Sequence, residues 1–178
     1  MTENAFIVPP RSRRAIRQIA GLVREHCGCT GPKLDIMHVV EFWLPVADEG
    51  FSLEVMSRQD LGDIHGLAAP HRKAIQIRED VYHGALDDRG RDRMTVAHEL
   101  GHYVLHRSAN LARMPQGGHV PPYLSSEWQA NTFAAELLIS FDHVIHCQDE
   151  SELPGLFGVT REAARVQWAV LRQEGVKK

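Results

Sequence analysis

Apolar positions first recur at helical spacing between Arg13 and His26, where Ile16, Ile19, Ala20 and Val23 form a stripe among charged and polar residues. Ser12 stands where an N-cap belongs, and Cys27-Gly-Cys-Thr-Gly-Pro32 interrupts the pattern. Leu34 to Leu44 reads as a second helix, expected to stop before Pro45. The period then changes. Phe51-Ser-Leu-Glu-Val-Met56 and Ala74-Ile-Gln-Ile77 read as short strands separated by a turn region at Gly66 and Pro70. Helical spacing returns from Arg91 to His106, with Met94, Ala97, Leu100, Gly101, Val104 and Leu105 available for burial. Residues 108–123 form a looser stretch carrying Pro115, Gly117, Gly118, Pro121 and Pro122. Another helix starts at Ser125 or Ser126, where Ser126-Glu-Trp-Gln129 has the form of a capping box, and continues through Phe133, Ala134, Leu137 and Leu138. Beyond Pro154 and Gly155, Leu156 to Gln173 reads as one or two short helices. Helices, a few short strands, then helices again give an α+β fold that is mostly helical. Residues 1–150 are expected to form the main domain, with 151–178 a helical segment packed on it rather than an independent unit.

Composition narrows the function. The 178 residues are 43% hydrophobic and 24% charged, the balance of a soluble globular domain. No apolar run approaches the roughly 20 residues needed to span a bilayer, so no membrane partner is expected. The N-terminus lacks a basic region followed by an apolar one, which points to the cytoplasm. A net charge of −3 excludes a bulk polycation, yet Arg11, Arg13, Arg14, Arg17 and Arg24 lie in one stretch without an acidic residue. Such a run is a solvated helix face or a contact for an acidic partner, single-stranded DNA among them. Three cysteines imply no disulfide framework. Eleven histidines turn the search toward metal chemistry.

The informative group is His98-Glu-Leu-Gly-His102. Four residues apart on a helix, the two imidazoles project from one face and can reach one ion. Glu99 lies about 100° round the helix, poorly placed as a ligand but able to take the proton from a water that the ion activates. A catalytic zinc ordinarily has three protein ligands. Glu127, in the first turn of the next strong helix, is the preferred third ligand, with Glu136 its rival on the same helix. His106, about 80° from the direction of His98, is a weaker candidate. Asn131, one turn beyond Glu127, can hydrogen-bond a ligating histidine. Tyr103, His119 and Tyr123 are candidate donors to a developing oxyanion.

His98-Glu-Leu-Gly-His102, preceded by Arg93-Met-Thr-Val-Ala and followed by Glu127-Trp-Gln-Ala-Asn-Thr-Phe-Ala-Ala-Glu-Leu-Leu138, resembles the ImmA/IrrE family of metallo-endopeptidases over roughly residues 50–140. The resemblance implies a zincin-like fold with Zn2+ held by His98, His102 and Glu127, and Glu99 as general base. It also implies a protein substrate, a helix-turn-helix transcriptional repressor cleaved in response to stress, DNA damage or mobile elements. Leu138-Ile-Ser140 departs from the Leu-Met-Pro often found there, a change at the helix end and not at the ligands.

A regulated protease must be quiet until signalled. Cys27, Cys29 or Cys147 could place a thiolate on the zinc and exclude water. Arg11, Arg13, Arg14 and Arg17 could contact a nucleic-acid effector, although no aromatic in the run offers base stacking. The competing class is a DNA-binding regulator with a non-catalytic metal site. Leu156-Phe-Gly-Val-Thr-Arg-Glu-Ala-Ala-Arg-Val166 resembles a helix-turn-helix fragment, with Gly158 at the turn and Thr160 as cap. Too few residues remain there for a complete three-helix module.

Overall fold

The computed structural model describes residues 6–107, 112–113 and 120–177. Strand β1 (Phe6–Ile7) leads into helix α1 (Arg13–His26), which Ser12 caps by accepting the Ala15 N–H at 3.2 Å. The apolar stripe of α1 buries Ile16, Ala20 and Val23. Ile16 and Val23, so removed from water, contribute about 1.5–3 kcal/mol each.

Pro45 does not end the second helical segment. The chain stays helical through α2 (Ile36–His38), a π-helical stretch (Val39–Trp43) and α3 (Leu44–Ala47). The wider π turn lets the Leu44 N–H reach the Val39 carbonyl, and Pro45 falls in the first turn of α3, where a missing N–H costs nothing.

Strand β2 (Ser52–Met56) is followed by the one-turn helix α4 (Arg58–Leu61). The turn region expected at Gly66 is instead strand β3 (Gly66–Ala69), and the reversal comes later, at Pro70–Arg72 with Lys73 at φ 52°. Gly-Leu-Ala-Ala shows no alternation and no β-branching; pairing with strand β4 (Ala74–Arg78) makes it a strand. The sheet order is β2-β4-β3, with β2 parallel and β3 antiparallel to β4, Gly66 opposite Ile77 and Ala69 opposite Ala74. Among the described residues this leaves β3 as an edge.

Helix α5 (Glu79–Leu86) then turns the chain into α6 (Gly90–His106), which lies against β3 and β4. Strand β5 (Ala112–Arg113) pairs antiparallel with β1. Helix α7 (Ser126–Leu138) crosses α6 closely: a Cβ on Gly101 would sit 3.1 Å from Ala130 backbone atoms. The expected capping box is not formed. Ser125 is the cap, accepting the Trp128 N–H at 3.3 Å, while the Ser126 hydroxyl accepts Phe6 N–H at 3.0 Å. The N-terminal segment offers these polar groups partners that the isolated box cannot.

Helices α8 (Phe141–Val144), α9 (Leu153–Phe157) and α10 (Arg161–Gln173) complete the chain. Gly158 takes φ 66° at the turn and Thr160 caps α10. Trp168 and Leu171 of α10 join the core that holds Leu100 and Phe133. Arg93, 2% exposed, fastens the same region by donating to the carbonyls of Leu34, Phe157 and Gly158 and pairing with Asp88. Among the described residues no helix is long and apolar enough to cross a membrane.

Candidate metal centre

His98 and His102 project from α6 toward Glu127 at the start of α7, so the close α6–α7 crossing brings the three together. The Nε2 atoms of His98 and His102 are 3.0 Å apart. Glu127 Oε2 is 3.4 Å from His98 Nε2, and Oε1 is 3.2 Å from His102 Nε2. A tetrahedral zinc with bonds of about 2.0–2.1 Å spaces its ligand atoms about 3.3–3.4 Å apart, close to these contacts, and one donor atom from each residue lies within 4.8 Å of the others. Imidazole nitrogens and a carboxylate oxygen are the donors that catalytic zinc takes. The donor set fits zinc.

Electrostatics agree. Burial works against a charged His98, but its bond to Glu127 and the charges of Glu99 and Glu127 prevail and raise its pKa. Burial likewise opposes ionisation of Glu127, yet both histidines hold it well below the usual carboxylate range. Asn131 Oδ1 lies 2.9 Å from His98 Nδ1 and accepts its N–H, which turns Nε2 inward. His106 stands outside the ligand triangle, with Nδ1 3.1 Å from His102 Nδ1. Burial, followed by the His102 charge, pushes its pKa down to about 4.

Glu99 is 8% exposed, and burial raises its pKa. Its Oε2 accepts the Ala68 N–H at 2.8 Å, so edge strand β3 holds the carboxylate by one oxygen. Oε1 takes no bond from the described residues.

The other candidates lie elsewhere. Glu136, with no exposed side-chain surface, accepts from Arg13, Arg17 and Gln167. Arg17 also pairs with Glu174 and lies over the Phe141 ring. Arg13 and Arg17 therefore serve internal ion pairs, Arg11 donates its backbone N–H to the Tyr123 carbonyl, and Arg14 is exposed. Arg24 is buried, with its guanidinium on the Leu137 and Pro32 carbonyls and the Cys29 sulfur. Cys27, Cys29 and Cys147 are free thiols, none of them in the His–His–Glu group; burial raises the pKa of Cys27 and Cys147. Tyr103 is committed to Asp48, donating to Oδ2 at 2.6 Å. Tyr123 is half exposed, and His119 lies outside the described residues. Sequence patterns gave no sign of Ala68, Gly66 or Gln129 near the site, because backbone donors, close approaches and buried amides carry no periodic signature.

No curated protein matches the chain. Residues 50–168 match the peptidase family described as the IrrE N-terminal-like domain, a span that takes in the sheet, α6, α7 and most of α10. With that match over more than half of its length, the chain belongs to the ImmA/IrrE family of metallopeptidases and has their zincin-like α+β fold.

Proposed function

We propose that this protein is a zinc-dependent endopeptidase, with zinc held by His98, His102 and Glu127. The observation that carries the reading is the convergence of one donor atom from each within 4.8 Å of the others, with facing contacts of 3.0, 3.2 and 3.4 Å. Bound there, zinc would supply Lewis-acid polarisation of a scissile carbonyl and of water.

The protein's own groups do the rest. Asn131 orients His98 through its Nδ1. Glu99 is the proton carrier: burial raises its affinity for a proton, and the Ala68 N–H fixes one oxygen while the other takes no bond from the described residues. A carboxyl so tuned takes a proton from the attacking water and returns it to the leaving amine. β3 is a sheet edge, so an extended peptide can add to it as a further strand beside the carboxylate. A chain held this way is a polypeptide in extended form, which favours unfolded or loop segments of a protein as substrate. The narrower choice of a helix-turn-helix repressor rests on the family resemblance of residues 93–138 alone.

The test is Glu99→Gln in the full-length protein. It should retain one zinc per chain and lose cleavage by about 100- to 10,000-fold, the contribution of a positioned general base. Cleavage is read by labelling new N-termini in a denatured protein extract. Equal sets of new termini from wild type and Glu99→Gln would refute the mechanism.

A further inference from the structure

Behind the ligand triangle runs a line of polar groups that the proposed mechanism does not use. His102 Nδ1 faces His106 Nδ1 at 3.1 Å, and His106 Nε2 meets Gln129 Oε1 at 3.3 Å. Gln129 Nε2 in turn reaches the carbonyls of Pro9 at 2.9 Å and Tyr123 at 2.8 Å. His106 is 6% exposed and Gln129 not at all, so bulk water cannot substitute for these partners.

The far end fixes the hydrogen bonds of Gln129, and the lone pair that a metal needs on His102 Nε2 fixes the one between the two rings. Two backbone carbonyls only accept, so the amide atom facing both is the NH2 group, and both its hydrogens are used. The other amide atom is then oxygen, and His106 must place its hydrogen on Nε2. A neutral His106 with Nε2–H has its lone pair on Nδ1, where it accepts from His102 Nδ1–H. His102 is left with a lone pair on Nε2, the atom that faces His98 and Glu127. The opposite tautomer of His102 would put a hydrogen where a metal must bind.

We infer that His106 and Gln129 are positioning residues that fix the tautomer and ring angle of His102, presenting its Nε2 lone pair to the metal. The inference rests on the zinc reading of the site. A ligating imidazole commonly gives its other N–H to a carboxylate or carbonyl. Here a neutral imidazole on the next turn of the same helix takes that place, anchored through Gln129 to the backbone of the N-terminal segment. Asn131 plays the equivalent part for His98.

Two measurements on the full chain test it. Long-range 1H–15N correlation of the metal-free wild type should show His106 as the neutral Nε2–H tautomer and His102 as Nδ1–H. An Nδ1–H or doubly protonated His106 at neutral pH would overturn the relay. The second is zinc affinity by competition with a chelating dye. His106→Leu should weaken zinc binding about 10- to 100-fold. His106→Asn, which keeps an acceptor near the Nδ1 position, should stay much closer to wild type, with both variants showing native circular dichroism. Wild-type affinity in His106→Leu, or equal loss in both folded variants, would refute the positioning role. Should the wild type take up no zinc, the metal reading fails, and the tautomers of the metal-free chain decide the relay separately.

Discussion

Gly66 and Glu99 occupy the same space: a Cβ added to Gly66 would lie 2.8 Å from Glu99 Cγ and 3.0 Å from Ile77 Cδ1. The strand can therefore approach α6 closely enough for Ala68 to hold the carboxylate only because position 66 has no side chain. Gly66→Ala should push Glu99 aside while leaving the histidines and Glu127 in place. Misplacing a reacting group by about 1 Å can cost about 100-fold in rate, so cleavage should fall by that order with zinc affinity unchanged. Wild-type turnover in Gly66→Ala would show that the Glu99–Ala68 contact does not position the base.

Glu127 and Glu136 share one helix and should behave oppositely. Glu136→Ala removes the partner of Arg13 and Arg17, whose side chains are 20% and 18% exposed against a fully buried carboxylate. Breaking a buried pair from one side costs about 3–5 kcal/mol, and exposure of the arginines places the expected loss at the lower end. Thermal unfolding should drop clearly, and zinc affinity measured on the folded fraction should not. Glu127→Ala should instead lose zinc affinity by a large factor, measured on the folded protein.

Asp48 accepts from Tyr103 at 2.6 Å and also meets Arg107 and Lys73. The Tyr103 hydrogen bond, with lesser help from those cations, lowers its pKa to about 2, and burial with Asp48 lifts Tyr103 to about 12. A carboxylate depressed below its unfolded value of about 3.9 adds stability that is complete above that pH and disappears as pH falls toward 2. Tyr103→Phe should thus cost about 1.5–3 kcal/mol at neutral pH, and its difference from wild type should narrow between about pH 4 and pH 2. Denaturant melts of both proteins across that range check this; a difference that does not change with pH would contradict it.

Much of this organisation is legible in the chain. Ser12, Gly158 and Thr160 announce helix ends because capping is local chemistry. His98 and His102 announce a metal because one helical turn fixes their relation before any tertiary contact forms. Glu127 needs the α6–α7 crossing, which Gly101 permits but does not advertise. Other features depend on partners distant in sequence. Gly66–Ala69 becomes a strand through β4, the π turn absorbs Pro45, and Ser126 turns to Phe6 instead of capping its own helix. The arginine run looks like one charged face, yet Arg13 and Arg17 find Glu136 more than 100 positions away.

The central claim is a His–His–Glu zinc site, and X-ray absorption at the zinc edge of the purified, zinc-supplemented protein tests it most directly. One zinc per chain is expected, with imidazole scattering from two histidines and only nitrogen or oxygen neighbours at about 2.0–2.1 Å. Failure to take up stoichiometric zinc, or a sulfur neighbour near 2.3 Å, would contradict it.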